Sequence, residues 1–512
     1  MISDAKIAIE QLLCYGVKKG LIEPIDKIYS RNILLDILNI SSPAKEFDVD
    51  NYIPPQMPYK ILDVLTEYAV NESIINDSLT EKDLLDTRIM NAITPFPSSV
   101  VEKYNTIKND EGVKAATDWY YEFSKATNYI RQERIDKNII WQYGSEEYGA
   151  IDVTINLSKP EKDPKEIAKL KHVKSSDYPA CLLCAENMGY AGRLNHPARQ
   201  THRILPITLN DEEWYFQYSP YIYFNEHIIA LRGEHVPMDV SRSTFIRLLE
   251  FTKYIPHYFL GSNAGLPIVG GSILSHDHYQ GGGYEMPMAK ARIYKEYSHE
   301  DFSKVKVGLV KWPMACIRLQ CKDIEILTDA AEYIFNAWQE YSDEKRFIYA
   351  YTDGEMHNAI TPIARNRGDY FELDLVLRNN ITTEELPMGV FHPHPHLHHI
   401  KKENIGLIEV MGVFILPGRL KHELDLVKKI LMGENISPNK YPELQQHMNW
   451  VEKMKTDNSL PLDENAADTL LENEIGKICF EVIECASVFK DTEDGREGLF
   501  KFMESAGFED IQ

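Results

Sequence analysis

The run Gly270-Gly271-Ser272-Ile273-Leu274-Ser275-His276-Asp277-His278-Tyr279-Gln280-Gly281-Gly282-Gly283 constrains this chain more than any other stretch. It sets two histidines and a glutamine at alternate positions between glycine clusters. As a strand it places His276, His278 and Gln280 on one face, with Asp277 and Tyr279 on the other. The flanking glycines remove side chains where an anion must approach backbone N–H groups, so the arrangement suits a phosphate.

Neutral imidazole, with an ordinary pKa of about 6.5, carries no charge for a phosphate to repel. A phosphoryl-imidazole also keeps a good leaving group, which divides one transfer into two. Gln280 stands where an amide N–H can meet the non-bridging oxygens as charge moves onto them. A structural metal site or a hydrogen-bonded polar strand accounts as well for an isolated H-x-H pair. Gln280 and the two glycine clusters favour chemistry.

Cys181-x-x-Cys184 reads as a redox pair, half of a zinc site or two ordinary thiols. His235 and His276 downstream supply the two nitrogens that, with two sulfurs, tetrahedral zinc accepts. Between them lies a basic cluster, Arg193, Asn195, His196, Arg199, His202 and Arg203, in an otherwise acidic chain. Arg193, Arg199 and Arg203 are candidates for holding a diphosphate or framing a nucleoside; surface pairing with carboxylates is the plainer alternative.

H-x-H-x-Q after a glycine-containing loop resembles the histidine-triad superfamily and, within it, the galactose-1-phosphate uridylyltransferases. The closer resemblance is to their type 2 branch. It is carried by Cys181-Leu182-Leu183-Cys184-Ala185-Glu186-Asn187-Met188-Gly189-Tyr190-Ala191-Gly192-Arg193 and by His398-His399-Ile400-Lys401-Lys402-Glu403-Asn404-Ile405-Gly406. The resemblance implies an α+β fold of two histidine-triad-like halves, an internal duplication, with a helical N-terminal extension and a helical C-terminal segment. It implies ping-pong transfer of UMP from UDP-glucose to galactose 1-phosphate, in galactose catabolism by the Leloir pathway, within a homodimer. By the same resemblance His278 is the nucleophile, and Asn263 and Ser272 match positions that donate to the phosphates. Structural zinc falls to Cys181, Cys184, His235 and His276. In part of the family a second metal is held by residues that map to His357, His396 and His398, although no acidic ligand follows Gln280 as that site requires. The family's Pro between the paired histidines is Asp277 here, expected to face away from His278. Its hexose-recognising Tyr-Glu pair falls on Val413-Phe414, which moves the sugar contacts elsewhere, with Glu409 a candidate.

Two rivals follow from the same residues: a histidine-triad nucleotide hydrolase or phosphorylase using water or phosphate as acceptor, and a non-catalytic metal-binding protein. Composition narrows the partners. A formal net charge of -23, from 78 acidic against 55 basic residues, argues against nucleic acid and anionic membranes. Seven cysteines in 512 residues, the absence of a long apolar run, and charges at Asp4, Lys6, Glu10 and Lys18 within the first stretch suit a cytoplasmic protein.

The expected domains are residues 1–148, 149–288 with the nucleophile, and 289–512. Helical periodicity fills the chain to about Asn138, with Asn109-Asp110-Glu111 as one helix start. Gly149 to Leu157 alternates as a strand, and a lysine-bearing connection from Lys159 to Lys171 follows as a solvated segment. Later expectations are strands at Lys306 to Cys316, Phe347 to Tyr351 and Tyr370 to Val376, a helix at Thr328 to Asp343, and amphipathic helix beyond Arg419.

Overall fold

The computed structural model describes residues 2–158, 177–271 and 273–511; the connection from Lys159 to Lys171 and Ser272 lie outside them. Apolar residues at helical spacing build the first part, as in Ile2–Lys18, which buries Ala5, Ala8, Ile9, Leu12 and Leu13. The helices Lys27–Ile37, Tyr59–Asn71, Leu79–Asn91, Pro97–Glu111, Val113–Ala126 and Gln132–Ile135 follow. The start expected at Asn109 is instead an end. Pro97 opens one helix at its first turn, and Gly112, at φ +95°, closes it before Val113 opens the next.

The chain forms two compact units, Met1–Asp136 with Glu161–Val236, and Lys137–Pro160 with Pro237–Gln512. In the first, the antiparallel strands Leu205–Leu209, Glu212–Tyr218 and Ile228–Arg232 pair through Ile207↔Trp214 and Phe216↔Ala230. Asn210 and Asp211, both at positive φ, make the tight turn between the first two. Trp214, Phe216 and Tyr218 alternate onto one fully buried face. There Phe216 meets Tyr104 and Tyr120 edge-on, and the Tyr218 hydroxyl donates to the Thr117 carbonyl at 2.9 Å. Burial of each such ring contributes about 1.5–3 kcal/mol.

In the second unit eight strands pair antiparallel in the order Glu509–Asp510, Ile293–Ser298, Lys306–Val310, Cys316–Cys321, Phe371–Asn379, Asn358–Asn366, Phe259–Gly261 and His278–Gly282. The helices Arg242–Tyr254 and Ile324–Gln339 pack against this sheet. A smaller sheet joins Ile139–Ser145 and Gly149–Ile155 with Val413–Leu416, the last running parallel through Val413↔Asp152. Three expectations shift. The strand expected over Lys306 to Cys316 breaks around Pro313, which has no N–H for a ladder. The expected helix starts at Ile324, because Asp323 caps it by accepting from the N–H groups of Glu325 and Ile326. Phe347 adopts left-handed backbone at φ +60°, so no strand begins there. Helix Arg419–Leu431 buries Leu420, Leu424, Val427, Ile430 and Leu431 as expected. Among the described residues no helix is long and apolar enough to cross a membrane.

Candidate functional site

The strand that carries the nucleophile candidate starts at His278, while His276 lies in a bend just before it. The alternation holds on either side of His278. Asp277 and Tyr279 turn to helix Arg242–Tyr254, where the Arg247 guanidinium reaches an Asp277 carboxylate oxygen at 3.4 Å and donates to the Tyr279 hydroxyl at 3.2 Å. Asp277 therefore faces away from His278, as its position predicts. His278 is 6% exposed. Its Nδ1 lies 2.8 Å from the His276 carbonyl, which can only accept, so Nδ1 carries the proton and Nε2 the lone pair. Burial, with a smaller push from His276, lowers the imidazole to about 4 against the opposing pull of that carbonyl. The ring is neutral at any pH well above that value.

The glycines serve the chain's own packing more than the sequence suggests. A Cβ on Gly281 would stand 2.0 Å from the Phe259 carbonyl oxygen, so the strand pair closes only over glycine. A Cβ on Gly271 would come 2.7 Å from Nδ2 of Asn263. The Asn263 side chain thus lies against the glycine turn that leads to His278. Its Oδ1 accepts from the Leu407 N–H at 2.9 Å.

Cys184 Sγ sits 3.4 Å from Cys181 Sγ and 3.0 Å from His235 Nδ1. The four ligand atoms of Cys181, Cys184, His235 and His276 all lie within 4.8 Å of one another, a set that could hold a metal ion. A zinc tetrahedron with bonds of about 2.3 Å to sulfur and about 2.0 Å to nitrogen has edges of about 3.3–3.8 Å; the separations of 3.4 Å and 3.0 Å lie near that range, and the donor types, two thiols and two imidazoles, are those zinc accepts. Burial raises the Cys184 thiol to about 12; a divalent ion reverses that by stabilising thiolate. Sequence reasoning missed Asn187. Fully buried, it donates through Nδ2 to the carbonyls of Cys181 at 2.7 Å and Cys184 at 2.9 Å, and its Oδ1 meets His196 Nε2 at 2.7 Å. It folds the cysteine turn into a knuckle. Its place three residues after Cys184 was the available signal.

The three arginines differ. Arg203 is buried and donates to the carbonyls of Pro95, Gln200 and His202, and burial pushes its guanidinium down to about 10. Arg193 donates to the Asn195 side chain, the Tyr190 hydroxyl and the Tyr178 carbonyl. Arg199 lies over the Tyr129 ring, with one long bond to the Ala198 carbonyl at 3.4 Å.

His357, His396 and His398 are engaged separately. His357 meets Asn380 Oδ1 at 2.8 Å and the Thr352 hydroxyl at 2.5 Å; His396 meets Glu481 at 2.6 Å; His398 donates to the Pro393 carbonyl at 2.8 Å. Among the described residues they form no ligand group of the kind seen at Cys181. Val413 and Phe414 are buried in the small sheet, and Glu409 pairs with the buried Lys401 at 2.9 Å.

Comparison with known proteins matches the same stretches. Residues 20–237 fit the family model described as galactose-1-phosphate uridyl transferase, N-terminal domain, and residues 250–449 fit its C-terminal domain. Proteins named galactose-1-phosphate uridylyltransferase are similar almost end to end. The one from Caldanaerobacter subterraneus is 50% identical over 99% of both chains, and that from Clostridium acetobutylicum is 51% identical over 97% of this chain and 98% of its own. The Bacillus subtilis protein is 45% identical over 98% of each. With both halves of the family pattern matched around the His278 strand and the cysteine knuckle, the chain belongs to the galactose-1-phosphate uridyl transferase family.

Proposed function

We propose that this chain is a nucleotidyltransferase that moves UMP from UDP-glucose to galactose 1-phosphate through a uridylyl group on His278. The observation that carries the reading is the state of His278: buried, neutral, and pinned at Nδ1 so that Nε2 holds the lone pair. Nε2 attacks the α-phosphorus; a P–N bond forms, and glucose 1-phosphate leaves with the electron pair of the broken P–O bond. A phosphate oxygen of galactose 1-phosphate then attacks the same phosphorus, and the imidazole returns neutral. Each leaving group has a low pKa, so no strong general acid is needed, and activation comes from positioning and hydrogen bonds. We assign Gln280, Asn263 and Ser272 to the phosphate oxygens, and Arg193 and Arg199 to the nucleotide. Arg203 holds the turn that presents them.

Zinc is the metal we assign to Cys181, Cys184, His235 and His276, as a closed four-ligand site that supplies structure rather than an open coordination position. The halves of the proposed duplication, residues 149–288 and 289–512, each contain strand, helix, strand in that order. These are Ile228–Arg232, Arg242–Tyr254 and Phe259–Gly261, then Cys316–Cys321, Ile324–Gln339 and Asn358–Asn366. A cytoplasmic homodimer acting on sugar nucleotides, with no nucleic-acid or membrane partner, completes the reading and accords with the net charge of -23.

The test is intact-protein mass spectrometry after incubation with UDP-glucose alone. A UMP-sized adduct on the wild type, absent from His278→Ala and discharged by galactose 1-phosphate, is expected. Normal turnover by His278→Ala, or an adduct that only water or phosphate discharges, would overturn the assignment.

A further inference from the structure

The histidine-rich stretch of the second half ends in a turn that reaches the loop before the nucleophile. We propose that the backbone N–H of Leu407 is a positioning group for uridylyl transfer, because it fixes which end of the Asn263 amide faces the phosphate. This rests on the assignment of Asn263 to the phosphate oxygens.

A primary amide has two orientations of nearly equal shape and opposite polarity. Only one is useful beside a phosphate: NH2 toward it donates, whereas C=O toward it repels. The Leu407 N–H is a donor only, and at 2.9 Å it holds Oδ1 of Asn263. That sends Nδ2 to the side of Gly271, which has no Cβ to obstruct it. Gly406 packs on the other side, where a Cβ would stand 3.3 Å from Oδ1.

The turn is itself held in place. Fully buried Arg378 donates to the Ile405 carbonyl at 2.8 Å and to the Thr361 hydroxyl at 3.3 Å. The His392 ring meets the Asn404 side chain at 3.2 Å. Leu407 is 1% exposed, and its Cδ1 lies 2.8 Å from where a Cβ on Gly261 would be. Within the loop that runs from Asn263 to the glycine turn, Ile268 adopts φ +74°, a strained conformation for a β-branched residue. Its Cγ2 rests against Gly389, at 2.8 Å from an ideal Cβ position there. Residues from Gly389 to Leu407 thus brace a strained loop at Ile268 and at Asn263. Positioning of this kind needs neither a second metal nor a sugar contact from that stretch.

Proline can test one N–H cleanly here. Leu407 is the first residue of helix Leu407–Val410, a position that tolerates proline, and Gly406 before it is extended at φ -88° and ψ -177°. Leu407→Ala removes the side chain and keeps the donor; Leu407→Pro removes both. In single-turnover formation of the uridylyl-enzyme, Leu407→Ala is the reference that bears any cost of losing the buried side chain while the donor stays. Leu407→Pro is expected to be slower than Leu407→Ala by about 10- to 100-fold, the range for loss of a transition-state donor. The KM for UDP-glucose should change by less than about threefold, since the interaction strengthens only as charge develops. Asn263→Ala should be equally slow, and adding Leu407→Pro to it should slow it no further. Equal rates for Leu407→Pro and Leu407→Ala, with Asn263→Ala slow, would overturn the positioning role and leave the assignment of Asn263 standing. A wild-type rate in Asn263→Ala would remove that assignment and the positioning role with it. Should Leu407→Pro fail to fold, Gly406→Val crowds Oδ1 while leaving every backbone donor in place, and a wild-type rate there would equally overturn the proposal.

Discussion

His202 gives a quantitative test of how burial sets the acid tolerance of this chain. The ring is 2% exposed and stacks on Tyr129 with centroids 4.8 Å apart, and among the described residues neither ring nitrogen has a partner at full hydrogen-bond geometry. Burial, and then the charge of Arg199, lower its pKa to about 3 against a weaker opposing pull from Gln217. Unfolded, the imidazole titrates near its ordinary value of about 6.5. Below that pH the unfolded chain takes up a proton that the folded chain refuses, so stability falls as pH drops from about 6.5 toward about 3. From these values the cost of keeping His202 neutral is about 0.2 kcal/mol at pH 7 and about 2 kcal/mol at pH 5. His202→Phe keeps a flat ring against Tyr129 and removes the titration. In urea unfolding at the two pH values, the variant should lose about 2 kcal/mol less than the wild type between pH 7 and pH 5. Equal losses would mean that His202 takes up its proton in the folded state, and the reasoning from burial would fail.

Two further outcomes follow from the site. Asp277→Ala leaves the Arg247 guanidinium, 6% exposed, without the carboxylate that now faces it, and should destabilise the chain by about 3 kcal/mol. Because Asp277 faces away from His278, the single-turnover rate of the folded fraction should stay within about threefold; a much larger loss would place Asp277 in the chemistry. Cys181→Ser should lower the bound metal measured by elemental analysis and reduce the melting temperature, as should dialysis of the wild type against a strong chelator. Unchanged metal content in Cys181→Ser would exclude that residue as a ligand.

What could be read from the sequence was what local chemistry dictates. The H-x-H-x-Q spacing predicted the opposed faces of the His278 strand, and Asp277 and Tyr279 do meet Arg247 on the far side. The ligand types at Cys181, Cys184, His235 and His276 predicted a set that the fold brings within 4.8 Å. What escaped depends on partners distant in sequence. Nothing near Arg203 reveals that its guanidinium will meet the Pro95 carbonyl, 108 residues away. Nor does anything near Asn263 announce the N–H of Leu407, 144 residues on. The glycines were read as room for an anion, while Gly281 is required by the Phe259 carbonyl of the neighbouring strand. Helix limits failed where one residue decides them, as Gly112 does between the helices Pro97–Glu111 and Val113–Ala126.

The parallel pairing of Val413–Leu416 with Gly149–Ile155 also has a bearing on synthesis. The hairpin Ile139–Ser145 with Gly149–Ile155 leaves the ribosome early, yet the strand that completes it follows more than 250 residues later. Until then the nascent chain presents an open strand edge carrying Ile151, Val153 and Ile155, all buried in the finished fold. At about 5–20 residues per second that edge waits tens of seconds. A chain stopped short of Val413 leaves that edge without its parallel partner.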